Sequence, residues 1–127
     1  MNVVIATLAA MSAAVHVYIF WLESVAFDSA TTRAAFRIRT PDQAEAIRPW
    51  AYNQGFYNLF LALAVLAGVA LLLGGATTVG VTAICFGSAV MLAAAALLGI
   101  SDRKMLKSAL VQGIAPALTL LAIAVTR

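Results

Sequence analysis

Four runs of apolar sequence, at residues 3–27, 52–73, 78–100 and 105–126, take up most of the chain. Crossing the hydrocarbon of a bilayer takes about 20 residues of helix, and each run reaches that length. In lipid a backbone must satisfy its own hydrogen bonds, which leaves helices and closed barrels as spanning structures. Unbroken apolar runs of this length read as helices. The composition agrees: 64% of the 127 residues are apolar and 10% charged, where soluble domains have about half and about a quarter. The expected fold is all-α, an antiparallel four-span transmembrane helix bundle in one integral membrane domain, 1–127, whose first partner is the lipid bilayer.

The connections set the topology. Gly74-Gly75-Ala76-Thr77 joins the second and third runs as a turn of chain breakers, which forces a hairpin. Ser101-Asp102-Arg103-Lys104 joins the third and fourth, with Asp102 expected as an N-cap. Arg33, Arg37, Arg39, Arg48, Arg103, Lys104 and Lys107 fall at one end of the bundle and Arg127 alone at the other. That asymmetry places the charged connections in the cytoplasm and both termini outside, in a bacterial inner membrane. It also explains the net charge of +3 without nucleic acid. The N-terminal run lacks a basic leader and continues to Trp21 and Leu22, so it is expected to stay as a span.

The long connection, 28–51, should hold a short interfacial helix. Thr40-Pro41-Asp42-Gln43 reads as a capping box with proline at the first helical position. Pro49 is expected to end that helix near Arg48. Arg33, Ala34, Ala35, Phe36, Arg37, Ile38 and Arg39 suit a segment on the membrane surface, with Trp50 and Tyr52 at headgroup level. On the third run Ala83, Gly87, Ala95 and Gly99 form a stripe of small residues, and Ala109, Gly113 and Ala117 another on the fourth. Such stripes permit close helix approach, within the bundle or in a homodimer. Cys85, alone in an apolar span, reads as a small buried hydrophobe.

Against this background the polar residues stand out. Asn53-Gln54-Gly55-Phe56-Tyr57-Asn58 opens the second run, His16 and Glu23 lie in the first, and Gln112 lies in the fourth. An unpaired amide in hydrocarbon costs about 4–8 kcal/mol, so these groups should face protein, water or a ligand. His16 and Glu23 are seven residues apart, within about 20° on one face and roughly 10 Å along the axis. All of them fall in the same half of the bundle's depth. The other half has hydroxyls such as Thr7 and Thr119, which a helix satisfies on its own backbone. Pro116 also frees the carbonyl of Gln112. We therefore expect a cytoplasm-facing polar pocket, with His16 and Glu23 as catalytic candidates and Asn53, Gln54, Tyr57, Asn58 and Gln112 as ligand-binding ones.

These residues carry a resemblance. His16 with Tyr18-Ile19-Phe20 and Leu22-Glu23, then Phe36, Asn53-Gln54-Gly55-Phe56-Tyr57-Asn58, Val111-Gln112-Gly113 and Pro116-Ala117 resemble the bacterial integral-membrane family of domain of unknown function 1304. The resemblance implies four spans and a shared polar site at His16, Glu23, Asn53, Gln54, Tyr57, Asn58 and Gln112. It implies no particular activity.

Three functions fit the residues. The first is binding of a small amphipathic molecule or lipid, with acid–base conversion by His16 and Glu23. The second is a proton-coupled transporter working as a homodimer, which the absence of polar groups in the outer half disfavours. The third is a structural or assembly partner with a dry, fully paired core. No cofactor is expected. With one histidine, and Glu23 two turns away, no metal site is expected either.

Overall fold

A computed structural model describes residues 1–126. Helix α1 (Asn2–Phe20) runs directly into one π-helical turn, Trp21–Val25. A short helix, α2 (Ala30–Ala35), precedes the long α3 (Pro41–Leu73). Next come α4 (Thr77–Ser101), a 3-10 turn (Arg103–Met105) and α5 (Leu106–Thr126). Four of these helical segments are long and apolar enough to cross a membrane, and they coincide with the four apolar runs. Arg127, the one base assigned to the opposite end, lies outside the described residues.

The four spans form a ring. α1 packs on α3 and α5, α4 packs on the same two, and α1 and α4 stand on the diagonal. Inside lie Ile5, Ala9, Ala13, Ala62, Val65, Ile84 and Met91, with Cys85 half-buried at the edge of this cluster. Lipid tails are as apolar as these side chains, so close packing rather than apolar burial holds such helices together. The small-residue stripes serve that packing within the chain. A methyl on Gly113 would lie 2.9 Å from the Ala95 Cβ, and one on Gly99 would lie 3.3 Å from the Ala109 Cβ. The lower part of the α4 stripe meets α3, where a methyl on Gly68 would lie 3.0 Å from the Ala83 Cβ.

The long connection departs from the expectation at one point. The capping box is formed: Gln43 N donates to Thr40 Oγ1 at 3.2 Å, and Thr40 N donates to Gln43 Oε1 at 3.3 Å. The helix it opens does not stop before Pro49, however; it continues through the proline into the second span. Proline removes one backbone donor, which in an interior span leaves the carbonyl four residues back unpaired. Here that carbonyl belongs to Glu45, an exposed residue ahead of the apolar run. The separate short helix is α2, whose second half alone falls in the stretch 33–39 expected to lie on the membrane surface. Asp102 accepts from Lys104 N at 2.9 Å, capping the 3-10 turn that leads into α5.

Phe27, Ile38 and Ala44 make a second small core that docks the connection onto the start of α3. Arg48 closes it. Its guanidinium stacks 5.0 Å over the Phe27 ring and donates twice to Asp28, at 2.8 and 2.7 Å. Arg48, with help from Arg33, holds the exposed Asp28 carboxyl below the usual carboxylate range. A depressed folded value means that this contribution to docking is fully present above about pH 3.9 and fades as pH falls through the folded value, below that. The opening of residues 27–38, read as hydrogen exchange corrected for its intrinsic pH-dependent rate, should therefore be flat from pH 8 to 5 and rise only below about 4. Asp28→Asn should weaken docking at neutral pH and remove that acid-dependent rise; a variant that keeps the rise would show that another group causes it.

Candidate functional site

The site forms where α1 stops being an α-helix. In the turn Trp21–Val25 the amide of Ala26 bonds back to the Trp21 carbonyl at 2.7 Å, the five-residue spacing of a π-helix. Such a turn widens the helix and re-aims its side chains, and single π turns often mark functional sites. It is braced from α2, since the buried Thr32 hydroxyl lies 2.8 Å from the Ala26 carbonyl and 3.2 Å from that of Leu22. On the other side Ser24 Oγ donates to the Tyr52 carbonyl of α3 at 2.8 Å.

Glu23 sits in this turn, 8% exposed, and faces α3. α3 comes close because position 55 is glycine. A methyl there would overlap Ser24 Oγ and lie 3.0 Å from the Glu23 Cβ. One turn on, Asn58 Nδ2 donates to Glu23 Oε2 at 2.9 Å and to the Gln54 carbonyl at 3.1 Å. Oε1 of Glu23 and Oδ1 of Asn58 make no hydrogen bond among the described residues. An aromatic row runs along the outer side of the same α1–α3 contact, with Tyr52 and Phe60 exposed. Phe20 meets Phe56 edge-on at 5.1 Å, and Tyr52 and Phe60 continue the aromatic row.

His16 lies two turns deeper on α1 and is 1% exposed. Its Nδ1 is 2.9 Å from the Ser12 carbonyl, and the imidazole has no second partner among the described residues. With Nδ1 donating, Nε2 is the free acceptor. Deeper still, Ser12 Oγ and Thr119 Oγ1 lie 3.3 Å apart across α1 and α5. Each also donates to a carbonyl four residues back, at 2.9 Å. With one proton apiece, only one of those backbone bonds can yield to the cross-helix bond at a time. Ser88 Oγ on α4 is buried with no hydrogen-bond partner among the described residues.

The structure thus brings Glu23 and Asn58 together and buries His16 below them. It leaves Asn53, Gln54 and Tyr57 exposed on the outer side of α3. Gln112 is half-buried, without a side-chain hydrogen bond among the described residues. The stretch 53–58 therefore does not line one inward face as a unit. Gly55, Asn58, Ala62, Val65, Gly68 and Leu72 are the buried residues of this helix's span, at the three- and four-residue spacing of one helical stripe. Asn53, Gln54 and Tyr57 fall off that stripe. Sequence reasoning did not single out Ser12, Ser24, Thr32 and Ser88; hydroxyls are common in spans, and only their contacts distinguish these.

An apolar groove of about 480 Å³ opens between α4 and α5, bordered by Leu92, Gly99, Leu106, Leu110 and Ile114 with Arg103 at one end. It shares no lining residue with the Glu23 site. Comparison with known proteins finds one family profile, described as Protein of unknown function (DUF1304), matching residues 10–124. No curated protein and no solved structure matches the chain.

Proposed function

The chain belongs to the DUF1304 family, and from its buried polar residues we propose that it binds a small amphipathic molecule at Glu23 and Asn58, with His16 as the second ionisable group of the site. The observation that carries this reading is the incomplete pairing of a buried carboxyl. Asn58 satisfies Oε2, while Oε1 and the Asn58 Oδ1 both remain acceptors without a donor. Neither is sealed off, since Ser88 Oγ alone among the described residues is fully buried without a partner, so a donor on a ligand can reach them. An ammonium or hydroxyl group on an apolar tail supplies one: the head donates to the two free acceptors and the tail lies along the aromatic row of Phe20, Phe56 and Phe60. Glu23 and His16 are then an acid–base pair for moving a proton on the bound molecule.

In this reading the end that carries the long connection faces the cytoplasm of a cell with an inner membrane, because the bases cluster there. Labelling of a cysteine placed in the Gly74-Gly75 turn by an impermeant reagent, from outside only, checks that orientation. The site itself is tested by titrating the protein in lipid nanodiscs with a long-chain alkylamine and the matching alcohol. Glu23→Gln should weaken binding of the amine at least about tenfold, since hydrogen bonds to a charged group contribute about 1.5–3 kcal/mol. His16→Ala should remove turnover and leave a folded protein. Unchanged affinity in Glu23→Gln rejects the assignment.

The hydroxyls of Ser12, Thr119 and Ser88, buried beyond His16, favour a second reading. They extend the polar line towards mid-span, as a proton-coupled transporter working as a dimer requires. In proteoliposomes that reading predicts substrate flux that depends on pH and is lost in Glu23→Gln.

A further inference from the structure

Arg33, Arg37 and Arg39 lie within seven residues of one another, and the fold gathers them. α2 ends in a tight reversal: Ile38 N donates to the Arg33 carbonyl at 2.9 Å and Arg37 N to the Ala34 carbonyl at 3.3 Å. This paired closure puts the residue after the helix cap in the left-handed region, a place usually given to glycine. Here it is Arg37, at φ 57°, the one non-glycine residue with positive φ among those described. A side chain held in a disfavoured backbone conformation points to a use for that side chain. The buried Ile38 anchors the reversal in the small core with Phe27 and Ala44. Arg33, Arg37 and Arg39 then line one open concave site of about 400 Å³ with Ala34 and Ile38.

The charges in this site are not neutralised from within. Arg33 reaches Asp28 at 3.5 Å, but that carboxylate already takes two bonds from Arg48. Arg37 and Arg39 make no ion pair among the described residues. Guanidinium groups present paired donors that match the oxygens of a phosphate. A phosphodiester offers two terminal oxygens and one charge; a phosphomonoester offers three and close to two charges. Three arginines around one hollow match the monoester.

We propose that Arg33, Arg37 and Arg39 form a binding site for a phosphomonoester group, carried either by a lipid headgroup or by a small soluble phosphate ester. The site is separate from Glu23 and stands whether or not the reading of that pair holds. Arg37 and Arg39 give the site its uncompensated charge, while Arg33 is shared with Asp28.

The test uses the full chain in phosphatidylcholine nanodiscs at 150 mM salt, where unspecific charge attraction is damped. Dioleoyl phosphatidic acid, dioleoyl phosphatidylglycerol and glycerol 3-phosphate are the probes, with binding read by native mass spectrometry and by titration. Phosphatidic acid should bind at least about tenfold more tightly than phosphatidylglycerol, or glycerol 3-phosphate should bind and compete with it. Binding of the lipid alone assigns the site to a headgroup, and competition by the soluble ester assigns it to the phosphate itself. Arg37→Gly is the decisive variant, because glycine suits the reversal better than arginine and removes the side chain with its guanidinium without straining the backbone. It should leave exchange of residues 30–40 unchanged and lower affinity at least about tenfold, with Arg39→Gln doing the same. Wild-type affinity in Arg37→Gly, equal binding of the monoester and diester lipids, or no binding of any probe overturns the proposal.

Discussion

Replacing Gly80 by alanine should destabilise the bundle by about 3 kcal/mol or more, at or beyond the top of the usual range for overpacking. Gly80 is where α4 crosses α3, and a methyl there would lie 2.5 Å from Leu72 N, 2.7 Å from the Gly68 carbonyl oxygen and 2.8 Å from Leu72 Cα. All three are backbone atoms, so no rotamer change can clear the space. The helices must separate, and both are tied by the short Gly74–Gly75 turn a few residues away. Separation also loosens Leu72 and Ile84, which are buried on either side. The control is Gly99→Ala, where the new methyl meets only the Ala109 Cβ at 3.3 Å and Leu106 Cδ1 at 3.5 Å. There the roughly 0.5–1 kcal/mol that alanine gains over glycine inside a helix offsets the contact. Thermal or denaturant unfolding in one detergent should rank Gly80→Ala far below wild type and Gly99→Ala beside it. Equal losses at both positions would mean that the backbone crossing at Gly80 is not what sets the cost.

What could be read from the sequence divides along a physical line. Features fixed by local chemistry were legible: the spans from hydropathy, the helix start at Thr40 from its capping box, and the close-packing faces of α4 and α5 from the spacing of Ala95, Gly99, Ala109 and Gly113, though not which helix each face meets. Features fixed by a distant partner were not. Nothing in Trp21-Leu22-Glu23-Ser24-Val25 announces a π turn; it depends on Thr32 returning to take the carbonyls of Leu22 and Ala26. Pro49 looked like a helix end because its setting, exposed beside an exposed Glu45, is a tertiary fact. Within 53–58 the polar composition drew attention to six residues, while the inward face is set by Gly55 and Asn58. The signal for that was present in the spacing of Gly55, Asn58, Ala62 and Val65, small or apolar residues at helical intervals around one amide. Arg37 carried no signal at all, since its left-handed backbone shows only in the fold.

Removing Asn58 should cost more than removing both Asn58 and Glu23. In Asn58→Leu the Glu23 carboxyl stays buried in the π turn with no donor, and a buried group stripped of its hydrogen bond costs about 1–3 kcal/mol, more when charged. Interhelical hydrogen bonds between neutral groups in membranes average only about 0.6 kcal/mol. A coupling of about 3 kcal/mol, beyond the roughly 2 kcal/mol that neutral bonds reach there, would mark this bond as one made to a carboxylate. In Glu23→Leu with Asn58→Leu both polar groups are gone, and the two leucines meet where the hydrogen bond joined α1 to α3. Such double replacements are often close to neutral or stabilising. The double variant should unfold at or above the wild-type midpoint, and Asn58→Leu well below it. If it proves as unstable as Asn58→Leu, leucine does not fit the site and the cycle reports packing instead. The same protein separates scaffold from site. A polar pair kept only to hold α1 against α3 can be replaced by leucines without loss of function, whereas a ligand site cannot. A stable double-leucine protein that no longer binds the alkylamine would show that the pair is kept for binding, at a cost in stability that two leucines remove.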